Sequence, residues 1–239
     1  MNGSRYAIET DGLSKSYGKR LALRKLSLCV PEGSIYGLVG PRDAGKTTTL
    51  RTLATLERFE HGTVRVAGFE LPSKASAVRD HVAFMPEEFG SYGDLSVDEY
   101  LDFYGQGYGI SASARGRLRD DLLELMDLTE RRHCLVDSLP RAMKQHLSLA
   151  RCLIHDPDVL LLDEPMARLD STACSDLEGI MAELARLDKT ILLTCEEASQ
   201  VANICSHVGI IEDGELVREA PVGTDAVTKT GWPVRTHDR

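Results

Sequence analysis

The chain has 239 residues, 42% of them apolar, and a formal net charge of −9, so it can form one large domain or a core with a small subdomain. The acidic balance argues against a sequence-independent nucleic-acid binder, which needs clustered Lys and Arg to neutralise phosphates. No run approaches 18 apolar residues and no early stretch has a basic segment before a long apolar run, so we expect neither a membrane span nor a signal peptide.

Short strands are predicted along most of the chain. Alternating apolar and polar residues predict half-exposed antiparallel strands around residues 26–30 and 63–66. Short apolar runs then alternate with stretches of helical length, which is typical of a mostly parallel sheet with helices on its faces. These runs are residues 34–39, 82–85, 159–162, 191–194 and 208–211. Asp213-Gly214 lies between two apolar pairs and predicts a hairpin, because both turn positions favour positive φ.

Between about residues 90 and 155 the strand pattern gives way to helical periodicity. Apolar residues recur at positions 118, 122, 125 and 126, and again at 143, 147, 150, 153 and 154. We interpret this stretch as a helical subdomain inserted in the α/β core. The predicted organisation is a single domain over residues 1–218 followed by a loose tail over residues 219–239, which is rich in Thr, Gly, Pro and charge.

The segment GPRDAGKTTTL, residues 40–50, lies between an apolar run and a helical pattern. It satisfies G-x-x-x-x-G-K-[ST], a loop whose backbone N–H groups cradle a polyphosphate. Lys46 is expected to reach the β/γ-phosphate oxygens and the Thr47 hydroxyl to bind Mg²⁺. The candidate nucleotide-binding residues of the loop are Gly40, Pro41, Arg42, Asp43, Ala44, Gly45, Lys46, Thr47 and Thr48. The alternative is an ordinary glycine-rich turn before a helix.

Asp43 occupies a position in the curve of this loop where glycine is the easier choice. Aspartate is among the few residues that tolerate left-handed backbone geometry, so it can preserve the shape of the loop while adding a negative charge near phosphate. On an exposed lip beside Arg42, the penalty should be about 1 kcal/mol or less. We therefore predict that the loop still binds nucleotide.

The segment VLLLDEP, residues 159–165, is an apolar strand that ends in two carboxylates. The carboxyl ends of parallel strands gather at one edge of a sheet, so Asp163 can lie beside Lys46 and Thr47 and hold the Mg²⁺ shell. Glu164 points differently and can act on an attacking water as general base. A strand that merely ends in acids is the alternative.

The order of GPRDAGKTT, MKQHLSLARCLIHDP and VLLLDEP resembles the ATP-binding subunit of ABC transporters, over residues 7–218. The segment PEEFGSYGDLSVDEYLDFY further resembles the ATPases of ABC-2-type exporters. The resemblance implies a P-loop NTPase core that binds ATP and Mg²⁺, and a head-to-tail dimer with ATP between the P-loop of one domain and the signature helix of the other. It also implies that Tyr17 stacks on adenine, with a structural aromatic as the alternative.

Several positions depart from the family pattern. The signature Leu-Ser-Gly-Gly is replaced by Leu139-Pro140-Arg141-Ala142, which removes a hydroxyl donor and the amide at Pro140 but leaves a proline suited to a first helical turn. Arg141 either obstructs the γ-phosphate, contacts phosphate through its guanidinium, or extends into solvent. In the D-loop, Ala167 and Arg168 replace small, flexible residues. Leu169-Asp170 matches the end of this loop, and the alternative for Asp170 is a helix N-cap.

Two further departures are acidic. Glu196 stands where the family has a histidine that contacts the γ-phosphate, and a glutamate there is a like charge unless protonated; alternatively it is an acid favoured by the first turn of the next helix. Glu87 stands where the family commonly has glutamine; it can take a Mg²⁺ position or order a water, or it is a solvated loop acid. The candidate catalytic residues are thus Glu164, Glu87 and Glu196, and the candidate Mg²⁺ ligands are Thr47, Glu87 and Asp163.

The favoured function is a cytoplasmic, membrane-peripheral ATP-binding subunit that drives export through a separate polytopic permease subunit. Its second partner is another ATP-binding subunit, in a homodimer or heterodimer, and no nucleic-acid partner is expected. The alternative is a hydrolysis-impaired regulatory or structural module, because losing one preorganised donor costs about 10² to 10³ in rate whereas ATP binding is spread over many contacts. A P-loop ATPase acting on nucleic acid is disfavoured, since a second ATP domain and a long coiled coil are both missing from the sequence.

Overall fold

The computed structural model describes residues 6–90 and 94–222. The strands of this part of the chain are β1 (Tyr6–Tyr17), β2 (Arg20–Pro31), β3 (Ile35–Val39), β4 (His61–Val66), β5 (Phe69–Leu71), β6 (Val82–Met85), β7 (Val159–Leu162), β8 (Thr190–Cys195), β9 (His207–Glu212) and β10 (Glu215–Pro221). The α-helices are α1 (Lys46–Leu53), α2 (Ala75–His81), α3 (Val97–Gly107), α4 (Ala112–Leu125), α5 (Arg141–Leu153) and α6 (Ser171–Arg186).

The strands form two sheets. A four-stranded antiparallel sheet has the order β2-β1-β4-β5, and a six-stranded sheet has the order β10-β9-β3-β8-β7-β6. In the larger sheet only the pair of β10 with β9 is antiparallel, and the other pairs are parallel. The predicted α/β fold, a mostly parallel P-loop core with an N-terminal antiparallel part, is confirmed.

Burial explains why the parallel strands were visible in the sequence. Every residue of β3, β7 and β8 is buried. One face of these strands packs against helices α3–α6 and the other against the antiparallel sheet and α1, and strands buried on both faces read as continuous apolar runs. The five predicted runs agree with β3, β6, β7, β8 and β9 to within one residue at each end.

Helices α3, α4 and α5 lie between β6 and β7 in the chain, within the range predicted for the helical insertion. A capping box, in which Ser96 and Glu99 bond each other's backbone N–H groups, starts α3. Tyr100, Leu123 and Leu147 are fully buried and share one apolar core with the large sheet. Leu125, which the periodicity placed on the buried face, is instead exposed on α4.

The β9–β10 hairpin turns at Asp213 and Gly214, with φ of 47° and 82°, which confirms the predicted hairpin. Strand β10 continues to Pro221 opposite His207, so strand pairing extends beyond residue 218, where we expected the domain to end. Residues 223–239, the rest of the predicted tail, lie outside the described residues. Within residues 6–90 and 94–222, no helix combines the length and apolar character that a bilayer span requires.

The strand order decides where the candidate site forms. Strand β8 lies between β3 and β7, so the loop after β3, the acids after β7 and Glu196 after β8 meet at one edge of the sheet. At this edge the Gly40 N–H donates to the Cys195 carbonyl over 3.1 Å. This bond ties the start of the phosphate loop to the end of the neighbouring strand.

Candidate nucleotide-binding site

Two glycines of the loop are required by close packing against the backbone of neighbouring strands. A Cβ at Gly40 would lie 2.2 Å from the carbonyl oxygen of Ile211 in β9. A Cβ at Gly45 would lie 2.7 Å from the carbonyl oxygen of Ala22 in β2, and Gly45 also has φ of 108°. Any other residue would displace one of these strands, so the first and second glycines of the motif fix where the loop sits on the sheet edge.

Lys46 is the first residue of α1 and is only 6% exposed. Its Nζ donates to the carbonyl of Gly40 over 2.7 Å and to that of Pro41 over 3.1 Å. The same ammonium lies 3.1 Å from Oε1 of Glu164. The buried positive charge is therefore satisfied by two carbonyls and one carboxylate.

The two acids after β7 have different environments. Asp163 is 3% exposed, and its Oδ1 accepts a 2.8 Å hydrogen bond from the Thr194 hydroxyl. The same hydroxyl oxygen accepts from the Glu164 N–H over 2.8 Å. Glu164 has φ of 47°, and its side chain reaches Lys46. We expected Asp163 beside Lys46, but the carboxylate in contact with the ammonium is that of Glu164.

Burial raises the pKa of Glu164 above the ordinary range of glutamate. Lys46 opposes this shift, whereas the carboxylates of Glu196 and Asp163 add to it. A carboxylate with a raised pKa accepts a proton more readily than a solvent-exposed glutamate, which is the property required of a general base.

A cavity of about 650 Å³ opens in front of Lys46 and Glu164, and we call it the P-loop cavity. The predicted residues that line it are Tyr17, Arg42, Asp43, Gly45, Lys46, Thr47, Thr48, Glu87, Glu164 and Glu196. The predicted residues Gly40, Pro41, Ala44 and Asp163 are not part of its lining. Lining residues that we did not predict as site residues are Arg20, Ala22, Ala167, Arg168 and Gln200.

Asp43 has φ of 66°, which confirms that the aspartate adopts left-handed geometry. We expected Arg42 to screen its charge, but the cation in contact with it is Arg20. Nη2 of Arg20 lies 3.2 Å from the Asp43 carbonyl oxygen and 3.5 Å from Oδ1. Arg20 follows the predicted adenine-stacking residue by three positions, and this proximity to Tyr17 was the only sequence signal that could have identified it.

Tyr17 ends β1 and is 45% exposed. The Nζ of Lys15 lies 5.1 Å from the centre of its ring, a cation–π distance. An exposed ring at the mouth of a cavity offers a face for a planar base, so Tyr17 remains a candidate for the stacking role.

The helix at the degenerate signature is intact. Pro140 caps α5 with φ of −56° and ψ of 155°, and α5 begins at Arg141. Arg141 is half-buried and its Nε donates to the Ala167 carbonyl over 3.2 Å, while Nη2 is buried without a hydrogen-bond partner among the described residues. We expected obstruction, phosphate contact or solvent exposure; within this chain, Arg141 instead binds the turn that follows Glu164.

The two remaining predicted acids lie on the rim of the cavity. Glu87 Oε1 is 3.9 Å from Arg168 Nη2, and both side chains are exposed, so the role of Glu87 stays a prediction. Glu196 is exposed and precedes a 3₁₀ turn, Ala198–Gln200, whose N-cap is Glu197. Glu196 therefore lies outside that turn, and the interpretation of it as a first-turn helix acid is wrong.

Asp170 is the N-cap of α6, and its side chain accepts from the Ala173 N–H over 2.9 Å. The N-cap interpretation of this residue is confirmed. Because the cap consumes one carboxylate oxygen, Asp170 fixes the end of the turn that begins at Glu164.

The donor set fits a nucleotide-bound Mg²⁺ better than an ion held by protein alone. In the described ranges no group of three or more His, Cys, Asp or Glu could hold a metal ion. Mg²⁺ in nucleotide sites takes one or two protein oxygens and completes its shell with phosphate and water. Thr47, which is exposed and lines the cavity, and Glu87 at the rim are oxygen donors of this kind. The third predicted donor, Asp163, is buried behind the lining and its Oδ1 accepts from Thr194.

Comparisons with known proteins agree with this geometry. The family model described as ABC transporter matches residues 23–167. The chain is 37% identical to "Nod factor export ATP-binding protein I" of Paraburkholderia xenovorans (strain LB400), over 95% of the chain and 75% of that protein. It is 26% identical to "Linearmycin resistance ATP-binding protein LnrL" of Bacillus subtilis (strain 168), over 88% of the chain and 68% of that protein.

Two solved structures share the fold. One is the ATP-binding subunit of an ABC transporter, with a TM-score of 0.80, 24% identity and 90% coverage of both chains. The other is MJ0796, a bacterial ABC transporter cassette solved as a dimer, with a TM-score of 0.81, 21% identity and coverage of 90% of this chain and 98% of that one. The chain therefore belongs to the ABC transporter family and is one of its ATP-binding subunits, a P-loop ATPase.

Proposed function

We propose that the chain binds Mg-ATP in the P-loop cavity and that its hydrolysis drives export through a separate membrane subunit. The observation that carries this proposal is the 3.1 Å contact between Lys46 and Glu164 at the wall of the cavity. It brings a phosphate-binding cation and a candidate base together. Export is supported by the relatives, since one is named for Nod factor export and another for linearmycin resistance.

Each part of the nucleotide has a candidate partner. The exposed ring of Tyr17 stacks on adenine, and the ammonium of Lys46 binds β- and γ-phosphate oxygens. Thr47, Asp163 and Glu87 are the candidate ligands of Mg²⁺, which when bound supplies charge neutralisation to the phosphates.

Glu164 is the proposed general base. Its carboxylate takes a proton from the attacking water as the water oxygen bonds to the γ-phosphorus and the bond to the ADP leaving oxygen breaks. The raised pKa of Glu164 favours this transfer. Glu196 adds negative charge nearby, so we assign it an effect on the pKa of Glu164 and no direct contact with phosphate.

The partners follow from the family. A second ATP-binding subunit, identical or different, closes over the cavity in a head-to-tail dimer. The helical insertion and the segment after Glu87 contact a polytopic permease, which would hold the chain at the inner face of the cell membrane. Phe103 and Tyr108 are exposed near the end of α3, which gives this subdomain apolar surface for such a contact.

The test is Mg²⁺-dependent ATP binding by the purified chain. We expect Lys46→Ala to weaken ATP binding by about 100-fold or more, because a buried charge-assisted contact to phosphate is lost. The matched control is Lys74→Ala, at an exposed position before α2. Unchanged affinity in Lys46→Ala would overturn the proposal.

In cells, co-expression with the permease should move the chain to the membrane fraction.

Two observations favour a second candidate, a module that binds ATP but turns it over slowly. Arg141, at the signature position, is engaged with Ala167 of its own chain, and a carboxylate occupies position 196. Measuring turnover and affinity on the same preparation separates the two candidates. Tight ATP binding with negligible turnover would favour the slow module.

A further inference from the structure

Arg168 is a cation of the P-loop cavity that the roles above do not use. Its side chain is 66% exposed, and its ion pair in the described part of the chain is with Glu87, at 3.9 Å. A pair of that length between exposed side chains contributes little to stability. The guanidinium can therefore leave Glu87 at small cost when a stronger anion is near.

The backbone of Arg168 has a left-handed conformation that is unfavourable for arginine. Its φ is 60°, a region that disfavours long side chains and persists only where the surroundings impose it. The Ala167 N–H donates to the Glu164 carbonyl over 3.0 Å, which closes the turn, and the Ala167 carbonyl accepts from Arg141, which fixes the end next to Arg168. Arg168 thus follows a constrained turn that begins at the proposed base.

The lining of the P-loop cavity contains both acidic and cationic side chains. Four carboxylates line the cavity, those of Asp43, Glu87, Glu164 and Glu196. The ammonium of Lys46 is shared between Glu164 and two carbonyls. Apart from Arg168, the other lining cations are Arg42 and Arg20, and Arg20 contacts Asp43. Arg168 follows the turn that begins at Glu164, and an arginine fork suits phosphate oxygens in both charge and geometry.

We propose that Arg168 exchanges Glu87 for the terminal phosphate of the bound nucleotide and so supplies the cationic donor that Glu196 cannot provide. The inference rests on the proposed function and extends it to a phosphate contact from the turn after Glu164. Because the contact is made to the third phosphate, it distinguishes ATP from ADP.

The experiment measures Mg-ATP and Mg-ADP affinities of the wild type, Arg168→Gln and Arg168→Lys. Glutamine keeps much of the side-chain stem and removes the charge, while lysine keeps the charge and removes the fork. The control is Arg186→Gln, at an exposed arginine that pairs with Glu183 at the end of α6. Thermal unfolding of each variant reports on folding.

We expect Arg168→Gln to weaken ATP binding by about tenfold or more and ADP binding by less than about twofold. Arg168→Lys should fall between wild type and glutamine, and Arg186→Gln should match the wild type. Equal losses for ATP and ADP, or an unchanged ATP affinity, would overturn the inference. A different result would contradict the proposed function, namely unchanged ATP binding in Lys46→Ala. If Lys46→Ala loses ATP binding and Arg168→Gln does not, only the role of Arg168 is removed.

Discussion

The ammonium of Lys46 lies 3.1 Å from the carboxylate of Glu164, although one begins α1 and the other follows β7. The contact depends on the strand order, because β8 separates β3 from β7 and contributes Thr194, whose hydroxyl bonds both Asp163 and the Glu164 N–H. A third strand, β8, therefore helps to position the proposed base next to the phosphate-binding lysine.

Replacement of Glu164 by glutamine should separate binding from chemistry. Glutamine keeps the shape and hydrogen-bonding capacity of the side chain but cannot take a proton from water, so we expect turnover to fall by about 10² to 10⁴. ATP affinity should change only a few-fold, because most phosphate contacts remain. Phosphate release and equilibrium binding check this, with Asp176→Asn, exposed on α6, as control. Parallel losses of turnover and affinity would contradict the role of base.

If the chain is an ATP-hydrolysing export subunit whose turnover is reduced by Glu196, replacement of Glu196 by histidine should raise turnover by about tenfold or more. The imidazole supplies a donor, and this gain should exceed the cost of removing a carboxylate that raises the pKa of Glu164. The pKa of Glu164 should then fall, and the acid limb of the pH–rate profile should move to lower pH. The control is Glu197→His, one residue further along. A variant that gains no activity would instead favour the slow module.

The sequence revealed features that depend on local pattern. Strands buried on both faces read as apolar runs, and the glycines of the phosphate loop follow a fixed spacing. Strand β1 was missed because register shifts interrupt its alternation and Gly12 adopts φ of 62° within it. Helix α2 was missed because Val78 is its one buried residue, so it carries no amphipathic pattern.

The contacts that distinguish this site from the family pattern were beyond sequence reasoning. Arg141 reaches Ala167, and Arg20 reaches Asp43. Each pair joins segments from different elements, and no periodicity or motif encodes which long side chain meets which loop. Such pairings are decided by how the insertion and the antiparallel sheet pack on the core.

Adding a single methyl group to Gly40 should disrupt the site. A Cβ there would lie 2.2 Å from the Ile211 carbonyl oxygen, so Gly40→Ala should force the loop and β9 apart, lowering the free energy of unfolding by about 3 kcal/mol or more and weakening ATP binding. The control is Gly116→Ala in α4, where a Cβ meets nothing within 4 Å and alanine should stabilise by about 0.5–1 kcal/mol. Urea unfolding measures both, and similar effects at the two positions would contradict this account.

Asp43 offers a test of charge against backbone strain in the loop. Asp43→Asn removes the charge but tolerates left-handed geometry, and Asp43→Gly removes both the charge and the strain at φ of 66°. If charge near phosphate is the main cost, both variants should bind ATP up to about fivefold more tightly, in keeping with an exposed interaction of about 1 kcal/mol or less. Tighter binding by the glycine variant alone would assign the cost to strain. Weaker binding by both would show that the aspartate supports the loop through Arg20.

His155 should make the stability of the chain fall on acidification. Its ring stacks on Tyr108 with centroids 4.3 Å apart, and Nε2 lies 3.2 Å from the Val82 carbonyl oxygen. Burial lowers the pKa of His155, an effect that outweighs the opposing hydrogen bond to Val82. Below the ordinary pKa of histidine, about 6.5, the unfolded chain therefore binds more protons than the folded chain at this site, and the free energy of unfolding decreases as pH falls toward the lowered value.

His155→Phe keeps an aromatic ring against Tyr108 and removes the titration. Urea unfolding at pH 7.5 and 5.5 should show a smaller loss of stability for this variant than for the wild type, whereas His133→Gln, at an exposed position, should lose as much as the wild type. If His155→Phe loses stability as steeply as the wild type, the acid sensitivity arises elsewhere. Because His155 follows α5 closely and contacts β6, local hydrogen exchange at Val82 and its neighbours should increase over the same pH interval in the wild type alone.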